Sequence, residues 1–134
     1  GIGLQYKTGP LAAFYTFHAV DNVVDNHAVG GLYDFGVAKV MATYIFNSFE
    51  AANTEDETAW SLGVNAPIGA GVIGLGYTAQ SDIAGIDGND IDVWALTYKH
   101  NLSKRTYAYT GYQRQDPDGG DAIDTFGVGI AHSF

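Results

Sequence analysis

Apolar and polar residues alternate with a period of two along most of this chain, the signature of strands with two unlike faces. Residues 1–7 set Ile2, Leu4 and Tyr6 against Gly3, Gln5 and Lys7, and residues 11–20 set Leu11, Ala13, Tyr15, Phe17 and Ala19 against Thr16 and His18. The same rhythm predicts strands over 29–36, with Tyr33 and Phe35 opposite Asp34, and over 38–47, with Val40, Ala42, Tyr44 and Phe46 opposite Lys39, Thr43 and Asn47. It returns over 58–66, where Trp60, Leu62 and Val64 oppose Ser61, Gly63 and Asn65, and again in Ile73, Leu75 and Tyr77 against Gly74, Gly76 and Thr78. Trp94, Leu96 and Tyr98 then oppose Ala95, Thr97 and Lys99, and a final strand over 125–134 sets Phe126, Val128, Ile130 and Phe134 against Gly127, Gly129, Ala131 and Ser133. Residues 105–114 mix the two parities, because Tyr107 and Tyr109 share one and Tyr112 has the other, so their facing stays open. The pattern predicts an all-β, antiparallel architecture of roughly nine strands in one domain over residues 1–134.

The connections alternate too. Short turns are expected at Thr8-Gly9-Pro10, Gly36-Val37, Pro67 to Gly71 and Leu102 to Lys104, with longer acidic loops between them. Strands of about ten residues, closed by short turns at one end and longer loops at the other, fit a transmembrane β-barrel. Tyr, Phe and Trp cluster near the strand ends of the apolar face, where a membrane interface favours them. A soluble barrel would turn the apolar face inward, and alternation alone does not say which face is out.

Composition narrows the choice. Hydrophobic residues make up 46% of the chain, yet no apolar run approaches the ~20 residues that a membrane helix needs. Eighteen glycines, nine tyrosines and seven phenylalanines, with three prolines, favour strands and tight turns. The chain has no cysteine, which removes disulfides and thiolate metal sites.

The net charge of −9 is unevenly placed. Fourteen of the 15 acidic residues fall in four patches, 21–25, 50–57, 82–92 and 116–124, and only Asp34 lies elsewhere. Lys7, Lys39, Lys104 and Arg105 sit beside the short turns, with Lys99 nearby. Acidic patches without a basic stripe disfavour nucleic acid. The parity of the polar face makes Gln5, Lys7, Thr16, His18, Asp34, Lys39, Thr43, Ser61, Asn65, Thr78, Thr97 and Lys99 the candidate pore-lining set. Within it, Lys39 and Lys99 are candidates for an anion preference, solvated rim charges being the alternative. The acidic loops are candidates for binding divalent cations, bridging lipopolysaccharide were the barrel in an outer membrane, with a solvated repulsive rim as the alternative.

Several catalytic and metal patterns fail in context. Gly69-Ala-Gly71-Val-Ile-Gly74 spells a dinucleotide fingerprint but leads into an alternating strand, with no helix to offer its amides to a phosphate. Asp116-Pro-Asp118-Gly-Gly-Asp121 begins like a calcium loop, yet position twelve is Gly127 rather than Glu. His18, His27, His100 and His132 lack metal-ligand spacing and read as a lumen group, a loop residue and two interface residues. No catalytic residue, metal or cofactor is expected.

The last strand, Phe126-Gly-Val-Gly-Ile-Ala-His-Ser-Phe134, resembles the C-terminal signal of outer-membrane barrels, with Gly129, Ile130 and Phe134 as its assembly residues and His132 where an aromatic is usual. Gly31-Leu-Tyr-Asp-Phe-Gly-Val-Ala-Lys39, Leu102-Ser-Lys-Arg-Thr106 followed by Tyr109 and Tyr112, and Thr125-Phe-Gly-Val-Gly-Ile130 are similar to segments of the general diffusion porins of Gram-negative bacteria. That resemblance implies the C-terminal part of a trimeric barrel of roughly sixteen strands in the outer membrane. It implies a water-filled lumen passing small hydrophilic solutes and ions without chemistry, with lipid, lipopolysaccharide and the barrel assembly machinery as partners. Upstream strands bearing an inward-folded constriction loop are then expected, since an odd count of about nine strands cannot close on itself antiparallel. A small structural or adhesive outer-membrane barrel is the second reading, and a soluble ligand-binding barrel the third.

Overall fold

The computed structural model describes residues 1–134. Nine strands follow one another: β1 (Ile2–Thr8), β2 (Leu11–Val20), β3 (Val24–Asp34), β4 (Lys39–Phe49), β5 (Glu57–Ile68), β6 (Gly71–Ser81), β7 (Ile91–Asn101), β8 (Thr106–Pro117) and β9 (Ile123–His132), with one 3-10 turn at Ile83–Gly85. Each strand pairs antiparallel with the next in a single sheet of order β1 to β9, so β1 and β9 each keep one unpaired edge. The all-β antiparallel expectation holds.

Turns at one end of the sheet have two, four, two and four residues, and those at the other have three, seven, nine and five. The two-residue turns Gly9-Pro10 and Gly69-Ala70 each open on a glycine with positive φ, 51° and 58°, the backbone that tight hairpins demand. Paired rows drift steadily against these turns. Along the row Leu11–Tyr33–Val40–Val64–Leu75–Leu96, Leu11 is next to its turn, whereas Val64, three strands on, stands five residues from the turn of equal length. A stagger of about 1.3 residues per strand, at ~3.3 Å rise against ~4.8 Å spacing, tilts the strands by roughly 40°, within the range of barrels.

Cross-strand partners share a face, so the register sorts the side chains into two sets. One face carries Leu4, Tyr15, Val29, Tyr44 and Trp60 in one row and Val40, Val64, Leu75, Leu96, Tyr112 and Phe126 in another. Tyr77 stacks between Trp60 and Trp94, at centroid distances of 4.9 and 4.4 Å, toward the long-loop end. Tyr33 with Phe35, at 4.5 Å, and His132 with Phe134, at 5.0 Å, stand toward the other end. Between them lie Val29, Leu62, Leu75 and Leu96 together with Tyr15, Tyr44 and Tyr112, an apolar band flanked by aromatic ends that is suited to hydrocarbon between two interfaces.

No hydrophobic residue is buried within the sheet; the three buried residues are Gly71, Gly74 and Gly85. The chain therefore has no internal core, and its apolar face needs a surrounding that is not water. No helix is long and apolar enough to cross a membrane. Of 95 backbone hydrogen bonds, 80 lie within the strands, as a sheet in lipid requires.

Three expectations change. The third strand starts at Val24 rather than 29, and the first acidic connection is only Asp21–Val23. Asn22 takes a left-handed φ of 59° and Val23 N–H donates to Val20 O at 2.9 Å, which lets Val24 pair directly with Val20. Asp25, Asn26 and His27 look like loop residues because they are polar, but they pair with Ala19, His18 and Phe17. His27 is consequently a strand residue on the apolar face, 4.8 Å from the Phe17 ring and accepting or donating at 2.9 Å with Tyr15 Oη. The open question in β8 resolves by register: Tyr112 joins the apolar face opposite Leu96, while Tyr107 and Tyr109 join the polar face opposite Asn101 and Lys99.

Candidate functional site: the polar wall

The register brings Lys7, His18, Asp34, Lys39, Thr43 and Lys99 onto one face. Thr43 stands in the row Gln5–Phe14–Gly30–Thr43–Ser61–Thr78, Lys7 faces Ala12, His18 faces Asn26, Asp34 faces Lys39, and Lys99 faces Val72. The six do not converge on a single centre. They are spread over a wall, with the three lysines toward the short-turn end.

The lysines differ in their surroundings. Lys39 Nζ lies 3.3 Å from Asp34 Oδ2, and Asp34 Oδ1 also accepts from Gly36 N–H at 2.8 Å, so this carboxylate both fastens the turn and offsets the Lys39 charge. Lys99 Nζ sits 4.1 Å from the centre of the Tyr107 ring, a cation–π contact that holds the ammonium without neutralising it. Lys7 is exposed and has no carboxylate within ion-pairing distance.

At the long-loop end the same face carries a chain of polar contacts. Asn26 donates to Asn47, Asn47 Nδ2 donates to Glu57 Oε1 at 2.9 Å, and Ala84 N–H donates to Glu57 Oε2 at 2.8 Å. Glu57 thereby fastens the 3-10 turn of the β6–β7 loop on the polar-face side of the sheet. Glu55 N–H adds a bond to Gly85 O at 3.1 Å, and Gly85 is buried against Thr54 and Phe49 at a φ of +72°. Asp82 and Asp90 close the loop on itself, Asp90 Oδ1 accepting from Asp82 N–H at 2.9 Å and Asp82 Oδ1 from Gly88 N–H at 3.0 Å. This folded loop was not foreseen in the sequence, where residues 82–92 read only as acidic rim. The Gly85 and Gly88 spacing among the aspartates is the signal it left. No three His, Asp or Glu side chains gather at metal-holding distance.

Charge is also sorted along the strands. Lys7, Lys39, Lys99, Lys104 and Arg105 lie at or near the short-turn end, with Asp34 the one acid among them. The other acidic residues crowd the long-loop end, where Arg114 pairs with Asp124 at 3.6 Å on the apolar face.

Residues 1–120 match the model of a Gram-negative porin family. The chain belongs to this family. Among its porin relatives is an outer membrane porin protein of Bordetella pertussis, 30% identical over 146 residues, the match covering 86% of this chain and 38% of the relative. In fold, the chain resembles the anion-selective porin from Comamonas acidovorans, with a TM-score of 0.78 and 27% identity, over 98% of this chain and 48% of that one. An in-vitro folded outer membrane protein of Vibrio cholerae in its trimer form superposes with a TM-score of 0.72 at 18% identity, over 97% and 54%. This porin chain thus spans about half the length of the solved porins it matches, and less of the curated relative. The family places it in the outer membrane of a Gram-negative bacterium.

Proposed function

We propose that the polar face lines a water-filled channel through which small hydrophilic solutes and ions diffuse passively across the outer membrane. The observation that carries this reading is the division of one sheet without a core into an apolar face and a face of lysines, hydroxyls and amides. Lipid satisfies the first and water the second. The unpaired edges of β1 and β9 belong to strands running the same way, so antiparallel closure takes an odd number of further strands between them. A single domain made of this sheet and its closing strands, assembled as a homotrimer, fits both that count and the family. Lipid and lipopolysaccharide would meet the apolar face and the acidic rim. β9, with Ile130 on the apolar face and Gly129 beneath the Tyr109 ring, followed by Phe134, is the strand offered to the barrel assembly machinery. Porins are not enzymes, and the reading assigns no catalytic residue to the polar wall.

The experiment is a reversal potential across a planar bilayer under a potassium chloride gradient. A potential on the anion side is expected, because Lys7, Lys39 and Lys99 share one wall. Lys99→Gln moves it toward cations, and Asp34→Asn moves it further toward anions by freeing Lys39. A cation preference that Lys99→Gln leaves in place defeats the lysine assignment. Absence of any conductance defeats the channel reading.

A further inference from the structure

The polar wall has an apolar stretch. Phe14, Leu32 and Met41 share the face of Gln5, Lys7 and Thr43, since Ala12 pairs with Leu32, Leu32 with Met41, and Phe14 with Gly30. Glycines give two of these side chains room to lie against the sheet. A Cβ on Gly30 would fall 2.5 Å from Phe14 Cε1, and one on Gly63 would fall 3.3 Å from Met41 Cε, so the ring and the thioether occupy space that any other residue would fill. With Gln5, Lys7 and Thr43 they line a hollow of about 410 Å³, within the size range of small-molecule sites.

Two facts select its occupant. An apolar patch facing a hydrated passage is unfavourable while bare, and gains when an apolar body covers it. Within these nine strands Lys7 stands at its border as the one lysine of the wall with neither a carboxylate nor an aromatic partner, unlike Lys39 and Lys99. A small hydrophilic anion would use the ammonium alone; a carboxylate on an apolar body would use both. We propose that this hollow is a transit site for apolar-bodied carboxylates, with Lys7 holding the carboxylate and Phe14, Leu32 and Met41 the body. The assignment rests on the channel reading above and names a solute class for it.

Chloride conductance of the full-length protein in planar bilayers, titrated with benzoate, acetate or benzamide, tests it. Benzoate is expected to lower the conductance saturably, half-maximally on the order of millimolar, while acetate at equal concentration does not and benzamide acts more weakly. Each variant's own chloride conductance serves as its baseline. Lys7→Gln should raise the half-blocking benzoate concentration about fivefold, the weight of one screened ion pair. Phe14→Ala should raise it about tenfold through lost aromatic contact. Benzoate acting no differently from acetate, as it would if a folded segment of the protein covered the hollow, overturns the site. So does benzamide blocking as well as benzoate, or both variants leaving the half-blocking concentration unchanged. A channel that conducts chloride normally in any of these cases leaves the transport reading standing, whereas a protein without chloride conductance removes both.

Discussion

An arginine at Leu96 is expected to destabilise the folded protein in lipid by about 2–4 kcal/mol, while an arginine one residue on, at Thr97, costs little. The two positions are neighbours in β7 and face opposite ways. Leu96 lies between Leu75 and Tyr112 in the apolar row, and Thr97 lies between Gly74 and Gly111 on the polar face. A guanidinium at Leu96, mid-way along β7, would enter the apolar band; at Thr97 it would stay hydrated. Denaturant unfolding of both variants from vesicles gives the difference directly. Equal losses would mean that the two faces see the same environment, which the account does not allow.

Gly71→Val is expected to be comparably severe by a different route. Gly71 opens β6 immediately after a two-residue turn and is one of three buried residues. A Cβ there would fall 2.5 Å from Lys99 O and 2.7 Å from Tyr98 Oη. The tyrosine can swing aside, but the carbonyl belongs to the ladder between β6 and β7 and cannot retreat without separating the strands. Overpacking of this kind costs typically 1–3 kcal/mol, and more where backbone must move. The folded fraction recovered after refolding into detergent should fall sharply for Gly71→Val. It should stay near the parent for Gly127→Val, whose Cβ would meet nothing within 4 Å. A Gly71→Val protein that refolds as well as Gly127→Val would show that the β6–β7 register differs from the one described.

Much of this was legible beforehand because a strand has only two faces. Once Thr97 and Lys99 alternate with Leu96 and Tyr98, their sides follow from parity alone. What parity cannot carry was lost. The start of β3 was hidden because Asp25, Asn26 and His27 are residues that loops favour, and their place in the sheet depends on the tight turn at Asn22. The apolar hollow was hidden because Phe14, Leu32 and Met41 break the alternation one at a time in three separate strands. They become neighbours only when the register is known, and the glycines opposite Phe14 and Met41 are the clue that a pairwise reading would have caught. The Glu57 contact with the β6–β7 loop joins residues 27 apart in sequence, through a fold that local pattern does not specify.

The most direct test of the two-faced sheet exploits the absence of cysteine from the chain. Single cysteines placed in turn at residues 93 to 99 of β7, in protein reconstituted into vesicles, are challenged with a membrane-impermeant maleimide. Labelling is expected at Val93, Ala95, Thr97 and Lys99, and protection at Trp94, Leu96 and Tyr98. The reverse alternation, or uniform labelling in protein that stays soluble without detergent, would contradict this orientation by turning the apolar face inward.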